Sequence, residues 1–186
     1  MILDVQKKSL LTDPNAFAVT RSLIGRKRFK EIVLSKDSMD KIMDAFLDSA
    51  PGAGLPGWFG QLVAMEGHWA RLTYLSPGDS GYSPRWKINP GLKIFSNTWK
   101  HLACFFDPDQ RQCSPEAGTE MVMIWPDANT GLPASRAAGN SDLLVLKMVL
   151  EHLTPHQVSG TTQMGLSDIN SLVLEALNAG IIIGPR

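Results

Sequence analysis

The sequence is poor in cysteine, has no excess of charge of either sign, and contains no apolar run approaching the roughly 20 residues that span a bilayer. Two cysteines, Cys104 and Cys113, are too few for a disulfide framework, and the expectation is that both stay reduced. Eighteen Lys and Arg balance eighteen Asp and Glu, so neither phosphate nor anionic lipid holds the chain as a whole, and any charge effect is local. The opening residues 1–8 lack the order of a secretory signal, which makes the cytoplasm the expected compartment. Walker loop, dinucleotide fingerprint, nucleophile elbow and His-Glu-x-x-His motif are all missing, and no other catalytic constellation takes their place. What the chain does have is 44% hydrophobic residues over 186 positions, enough to fill one core or two small ones but too short for a complete α/β barrel.

Gly and Pro clusters divide the chain. Met39, Ile42, Met43, Phe46 and Leu47 recur at helical spacing, with Ser38 as a cap, and predict a helix within residues 37–50. The Pro- and Gly-rich stretch 51–57 ends it, and a second helix is expected over 58–70 despite Gly60 and Gly67. Residues 71–75 read as a short strand, 76–84 as a surface loop, and 92–106 as mixed, with Thr98, Leu102 and Phe105/Phe106 favouring a helix. Beyond residue 118 the pattern sharpens. Strand-like 119–125, a turn at 126–131 and a weaker strand at 132–138 form a hairpin. A helix capped by Ser141 follows, then a short helix begun by Thr154-Pro155 and ended by Gly165, a third capped by Ser167 and stopped at Gly180, and an apolar tail, Ile181–Ile183. The expected architecture is α+β: a largely helical, Trp-rich region 1–118 and a C-terminal element 119–186 of hairpin and three helices.

Several residues invite a chemical reading. His101, Cys104 and Cys113 offer three soft ligands, one short of a structural zinc site, and no third group orients a Cys104–His101 pair as a nucleophile. No metal and no cofactor are expected. Arg26-Lys27-Arg28-Phe29-Lys30 is the one concentrated basic patch, read either as a solvated surface turn or as a docking site. Five tryptophans, including Trp58 and Trp69, are either core or a protein-binding face, since interfaces favour Trp and Arg.

The words Leu153-Thr-Pro-His-Gln-Val158, Gly165-Leu-Ser-Asp-Ile169 and Leu172-Val-Leu-Glu-Ala-Leu-Asn-Ala-Gly-Ile-Ile182 resemble the winged helix-turn-helix superfamily. In DNA-binding members the third helix reads the major groove with polar and basic side chains. Here residues 141–183 hold Lys147 against Asp142, Glu151, Asp168 and Glu175, a local charge of −3 that repels phosphate. With the hairpin placed before the helices, residues 119–183 look more like the peptide-recognition elements of ribosomally made, post-translationally modified peptide pathways, of which the pyrroloquinoline quinone peptide chaperone is a member. That resemblance implies a precursor peptide added to a sheet edge and packed against the third helix. The weak, Pro133-interrupted second strand leaves open which strand receives it. The peptide contacts so implied are Ser135, Asn170, Val173, Leu174 and Leu177. Leu174 stands out because helical projection turns it about 140° from Ile169, the centre of the buried stripe. Arg26, Lys27, Arg28, Trp58 and Trp69 would dock a separate modifying enzyme, and the narrower resemblance is to partner subunits of multinuclear non-heme iron oxidases. The expected protein is thus a non-catalytic accessory subunit with neither nucleic acid nor membrane as partner. The alternative is a winged-helix transcription regulator whose N-terminal region senses a ligand or dimerises. A Cys/His enzyme ranks third.

Overall fold

The computed structural model describes residues 8–48, 54–74, 85–107 and 114–184. The expected loop at 76–84, the first three residues of the Pro/Gly stretch 51–57 and Cys113 lie outside them. The fold is α+β and divides into two compact units, one of residues 1–76 with 96–119, the other of 77–95 with 120–186. Among the described residues, no helix is long and apolar enough to cross a membrane.

The first unit carries α1 (Ala18–Ile24), α2 (Arg26–Ser35), α3 (Met39–Leu47) and α4 (Phe59–Tyr74). Ser38 caps α3 as its sequence predicts, its hydroxyl accepting from the Lys41 N–H at 3.3 Å. Phe17, Phe29 and Phe46 form the centre of the core, with Phe29 and Phe46 stacked at 5.2 Å. Residues 71–74, expected as a strand, continue α4, because Ala70 is buried and Arg71 pairs with Asp40 at the base of α3. Gly67 sits inside α4 where α3 comes close: a Cβ there would lie 2.2 Å from Met43 Sδ. The flexible end of the Met43 side chain thus fills the space that a β-carbon would take.

The stretch 92–106 also departs from expectation. It is a strand, β2 (Lys93–Lys100), followed by a 3-10 turn, Leu102–Phe106. Phe95, Asn97 and Trp99 turn inward at a period of two, and the polar Asn97 on that face obscures the alternation in sequence. Cys104 is disulfide-bonded, not reduced, and the chain's one other cysteine is Cys113.

The second unit contains the hairpin of β3 (Glu116–Pro126, shared with the first unit) and β4 (Pro133–Ala137), then α5 (Asn140–Leu150), α6 (Pro155–Thr161), α7 (Leu166–Ala179) and β5 (Ile182–Ile183). Its core gathers Met123 and Trp125 from β3, Val145, Leu146, Met148 and Val149 from α5, and Ile169, Val173 and Ala176 from α7. Thr154 and Gln157 form the reciprocal cap that opens α6. Gly180 stops α7 at φ 81, where a Cβ would meet the Ala128 amide at 2.8 Å. The caps of the other two helices differ from expectation. Gly139, not Ser141, precedes α5, and Asp142 reaches back to accept from the Gly139 N–H at 3.0 Å. Gly165, not Ser167, precedes α7, and α6 ends earlier, at Thr161. An acid in a first turn also complements the helix dipole, an advantage a serine hydroxyl lacks.

Residues 77–95, assigned by sequence to the N-terminal region, group with this second unit. Within it β1 (Lys87–Ile88) pairs antiparallel with β5. Asn89, buried, donates from Nδ2 to the Gly180 carbonyl at 2.7 Å and accepts from the Gly91 N–H at 2.9 Å.

Candidate functional site

The order of the three-stranded sheet is β2-β3-β4, so β4 is an edge among the described residues. Its register pairs Ala134 with Trp125, Ser135 with Ile124 and Arg136 with Met123. Hydrogen bonds flanking the ladder, Asp127 N–H to the Leu132 carbonyl and Ala138 N–H to the Met121 carbonyl, fix its phase. Even-numbered residues of β4 exchange backbone bonds with β3, and the backbone groups of Pro133, Ser135 and Ala137 point away from it. Pro133, which obscures this strand in sequence, thus lacks a donor only on the open side, where an edge strand tolerates proline. The opposite edge is treated differently: the Thr98 N–H of β2 donates to Gln61 Oε1 at 3.0 Å, and Gln61 Nε2 donates to the Thr98 hydroxyl at 2.6 Å.

Beside β4 lies a cleft of about 320 Å³ lined by Arg136, Ala137, Gly139, Asp142, Val145, Leu172, Glu175 and Ala176. Val145 and Ala176 are nearly buried and form its apolar floor, and Leu172 is half-buried at its wall. Three bonds hold α7 against the hairpin: Trp125 Nε1 donates to the Ala179 carbonyl at 2.8 Å, the Ala128 N–H donates to the same carbonyl at 3.3 Å, and Asn129 Nδ2 donates to that of Asn178 at 3.1 Å. Asp127 shapes the connecting turn, its Oδ1 accepting from the N–H groups of Asn129 and Thr130 and the Thr130 hydroxyl. Desolvation raises its pKa, but these bonds together outweigh it and leave the carboxyl below the usual range.

The structure separates the residues that sequence reasoning grouped as peptide contacts. Ser135 is on the open edge. Val173 is buried in the core of the unit and is not part of the cleft lining. Leu174 is 60% exposed, as its projection predicts, and Asn170 is exposed. With Leu177, however, they fall on the side of α7 turned about 120° to 180° from the stripe of Leu172 and Ala176. Leu177 lies near Gly184, not in the cleft. The cleft residues Arg136, Asp142, Val145, Leu172, Glu175 and Ala176 escaped sequence analysis. Their signal is the pairing of Leu172, off the centre of the buried stripe, with Ala176 near that centre, next to the sheet, while projection alone picks the residue farthest from the core.

In the first unit, Arg26, Lys27 and Arg28 are exposed in the first turn of α2, a helix and not the surface turn expected, and border a shallow depression with Ile24 and Glu31. Trp58 and Trp69 are half-buried, facing Phe105 and Phe106 with ring centroids at 5.3 and 4.9 Å. Part of each indole is therefore already used inside its own unit. His101 Nε2 lies 3.9 Å from Glu116, and the disulfide removes Cys104 as a thiolate nucleophile or ligand.

Glu66 is a buried carboxyl with a structural task. It accepts from the N–H groups of Val19 and Thr20 at 3.0 and 3.1 Å and from the Thr20 hydroxyl at 2.6 Å, so it caps α1 from α4. Burial pushes its pKa up to about 7, against the lowering pull of those bonds and of Arg21. No protein-family model matches the chain, and no curated protein is significantly similar to it.

Proposed function

We propose that the protein is a non-catalytic accessory subunit that captures an extended segment of a precursor peptide on the edge of β4 and presents it to a separate modifying enzyme. The observation that carries this reading is the open backbone of Ser135 and Ala137 beside the apolar floor of Val145 and Ala176. An edge left unpaired next to an apolar cleft has what strand addition requires: backbone partners for affinity and a pocket for alternate side chains. The order of hairpin, helix, short helix and helix supports a winged-helix recognition element, and α7, with Asp168 and Glu175 and neither Lys nor Arg, suits peptide better than DNA. In this reading Arg26, Lys27 and Arg28 provide the enzyme contact, with the outer faces of Trp58 and Trp69. That the enzyme is an iron-dependent oxidase follows from the resemblance of the sequence alone.

The test uses the full chain and decapeptides recovered from a random messenger-RNA-displayed library. A captured peptide should slow amide exchange at Ser135 and Ala137 by about tenfold or more, and Leu172→Arg should abolish capture. Failure to recover any peptide, or capture that leaves these two amides unprotected, refutes the reading.

A further inference from the structure

The cleft beside β4 carries an unbalanced charge. Arg136 rises from β4 over the Trp125 ring, 5.6 Å from its centroid, and reaches two carboxylates. Asp142 is the close partner: its Oδ1 pairs with Arg136, its Oδ2 accepts from the Gly139 N–H, and its side chain is only 13% exposed. Glu175 stands apart, 3.7 Å from Arg136 Nη1 and with its side chain 63% exposed. Asp142 thus neutralises the one cation of the lining, and Glu175 is left as a surplus negative charge at the rim. Lys147, the one cation of α5, α6 and α7, lies beside Glu151 at 3.9 Å.

The spacing turns this surplus into a preference. In a strand added to β4, alternate side chains face the helices, and residues two apart are about 6.7 Å apart. Leu172 and Glu175 are separated by about 4.5 Å along the axis of α7, within reach of two such side chains when one is long. We propose that the segment held here has an apolar side chain over Val145, Leu172 and Ala176 and, two residues away, a Lys or Arg that pairs with Glu175. The proposal rests on the peptide-capture reading and names the chemistry of what is captured. A basic segment also matches the acid excess of the surrounding helices, whereas an acidic one would add a like charge beside Glu175.

The same displayed library distinguishes the two ideas. Against the wild-type full chain, recovered sequences should be enriched in an apolar residue with Lys or Arg two positions away. With Glu175→Lys as bait, the apolar position should persist and the cation give way to Asp or Glu. A recovered Lys peptide should bind Glu175→Lys about fivefold more weakly than wild type, as expected for a partly exposed pair, and its Lys→Glu counterpart should regain the loss. Pools with no charge preference, or identical pools from both baits, overturn the cation assignment while leaving strand capture intact. A pool indifferent to Leu172→Arg overturns the cleft itself.

Discussion

The two units handle their polar groups in opposite ways. In the first, polar groups are tied to neighbours of the same unit: Glu66 caps α1, Arg21 Nη2 donates to the carbonyls of Leu10, Asp13 and Ala16, and Gln61 takes up the exposed Thr98 amide. Tyr74, which donates to Asp13 at 2.5 Å, has its pKa raised by burial and by that carboxylate. Among the described residues of the second unit the core is almost wholly apolar, Asn89 being its buried polar member, and open backbone lies at the surface along β4. Water satisfies an exposed edge at little cost, whereas a buried one destabilises the fold. An edge that stays in water is free to exchange its solvent for a strand, and one closed by its own glutamine is not.

The contrast is sharpest in pH dependence. Glu66 binds its proton more tightly in the folded protein, near pH 7, than in the unfolded chain, near 4.5. Its favourable contribution is therefore complete below the unfolded value and is lost as pH rises through the folded one, a change on the order of 3 kcal/mol. Glu66→Gln should remove that slope. Urea unfolding of both proteins at pH 5 and pH 8 measures it, and a stability difference that does not change with pH would mean that Glu66 is ionised throughout.

Two glycines extend the comparison. Gly180→Ala forces a side chain into φ 81 and against the Ala128 backbone, and should destabilise the second unit by about 2 to 4 kcal/mol. Gly67→Ala meets only the flexible end of Met43, and better helix propensity offsets the displacement. Its net effect in thermal unfolding should stay within about 1 kcal/mol.

How much of this was legible depended on whether the deciding contact was local. The caps Thr154 and Ser38 and the stop at Gly180 depend on residues within a turn of one another, and sequence placed all three, though not the partners Gln157 and Lys41. Residues 71–74 were misread because Ala70 and Arg71 are committed by partners distant in sequence. Trp86 and Asn89 were assigned to the wrong region because their partners lie some ninety residues on. The helix beside the cleft was legible, but not the side of it that lines the cleft. Periodicity locates the buried centre of α7, while the cleft is set by the neighbouring strand, whose phase emerges only from the hydrogen bonds that flank it.

Smaller effects test the local devices. Thr154→Ala removes a hydroxyl that accepts from the Gln157 N–H at 3.3 Å and should cost the second unit about 1 kcal/mol in urea unfolding. An unchanged midpoint would show that Gln157 alone holds the helix start.

The least expected effect belongs to Leu174, although it is the most exposed apolar residue of α7. Its side chain lies about 160° around the helix from Leu172, so Leu174→Arg should leave peptide capture within about twofold of wild type and change stability by no more than about 0.5 kcal/mol. Leu172→Arg, placed at the wall of the cleft, should abolish capture with the circular dichroism spectrum unchanged. The pair separates the two sides of one helix within the same fold. If Leu174→Arg releases the peptide and Leu172→Arg does not, the working face of α7 is the one opposite β4, and strand addition is replaced by docking on the exposed helix.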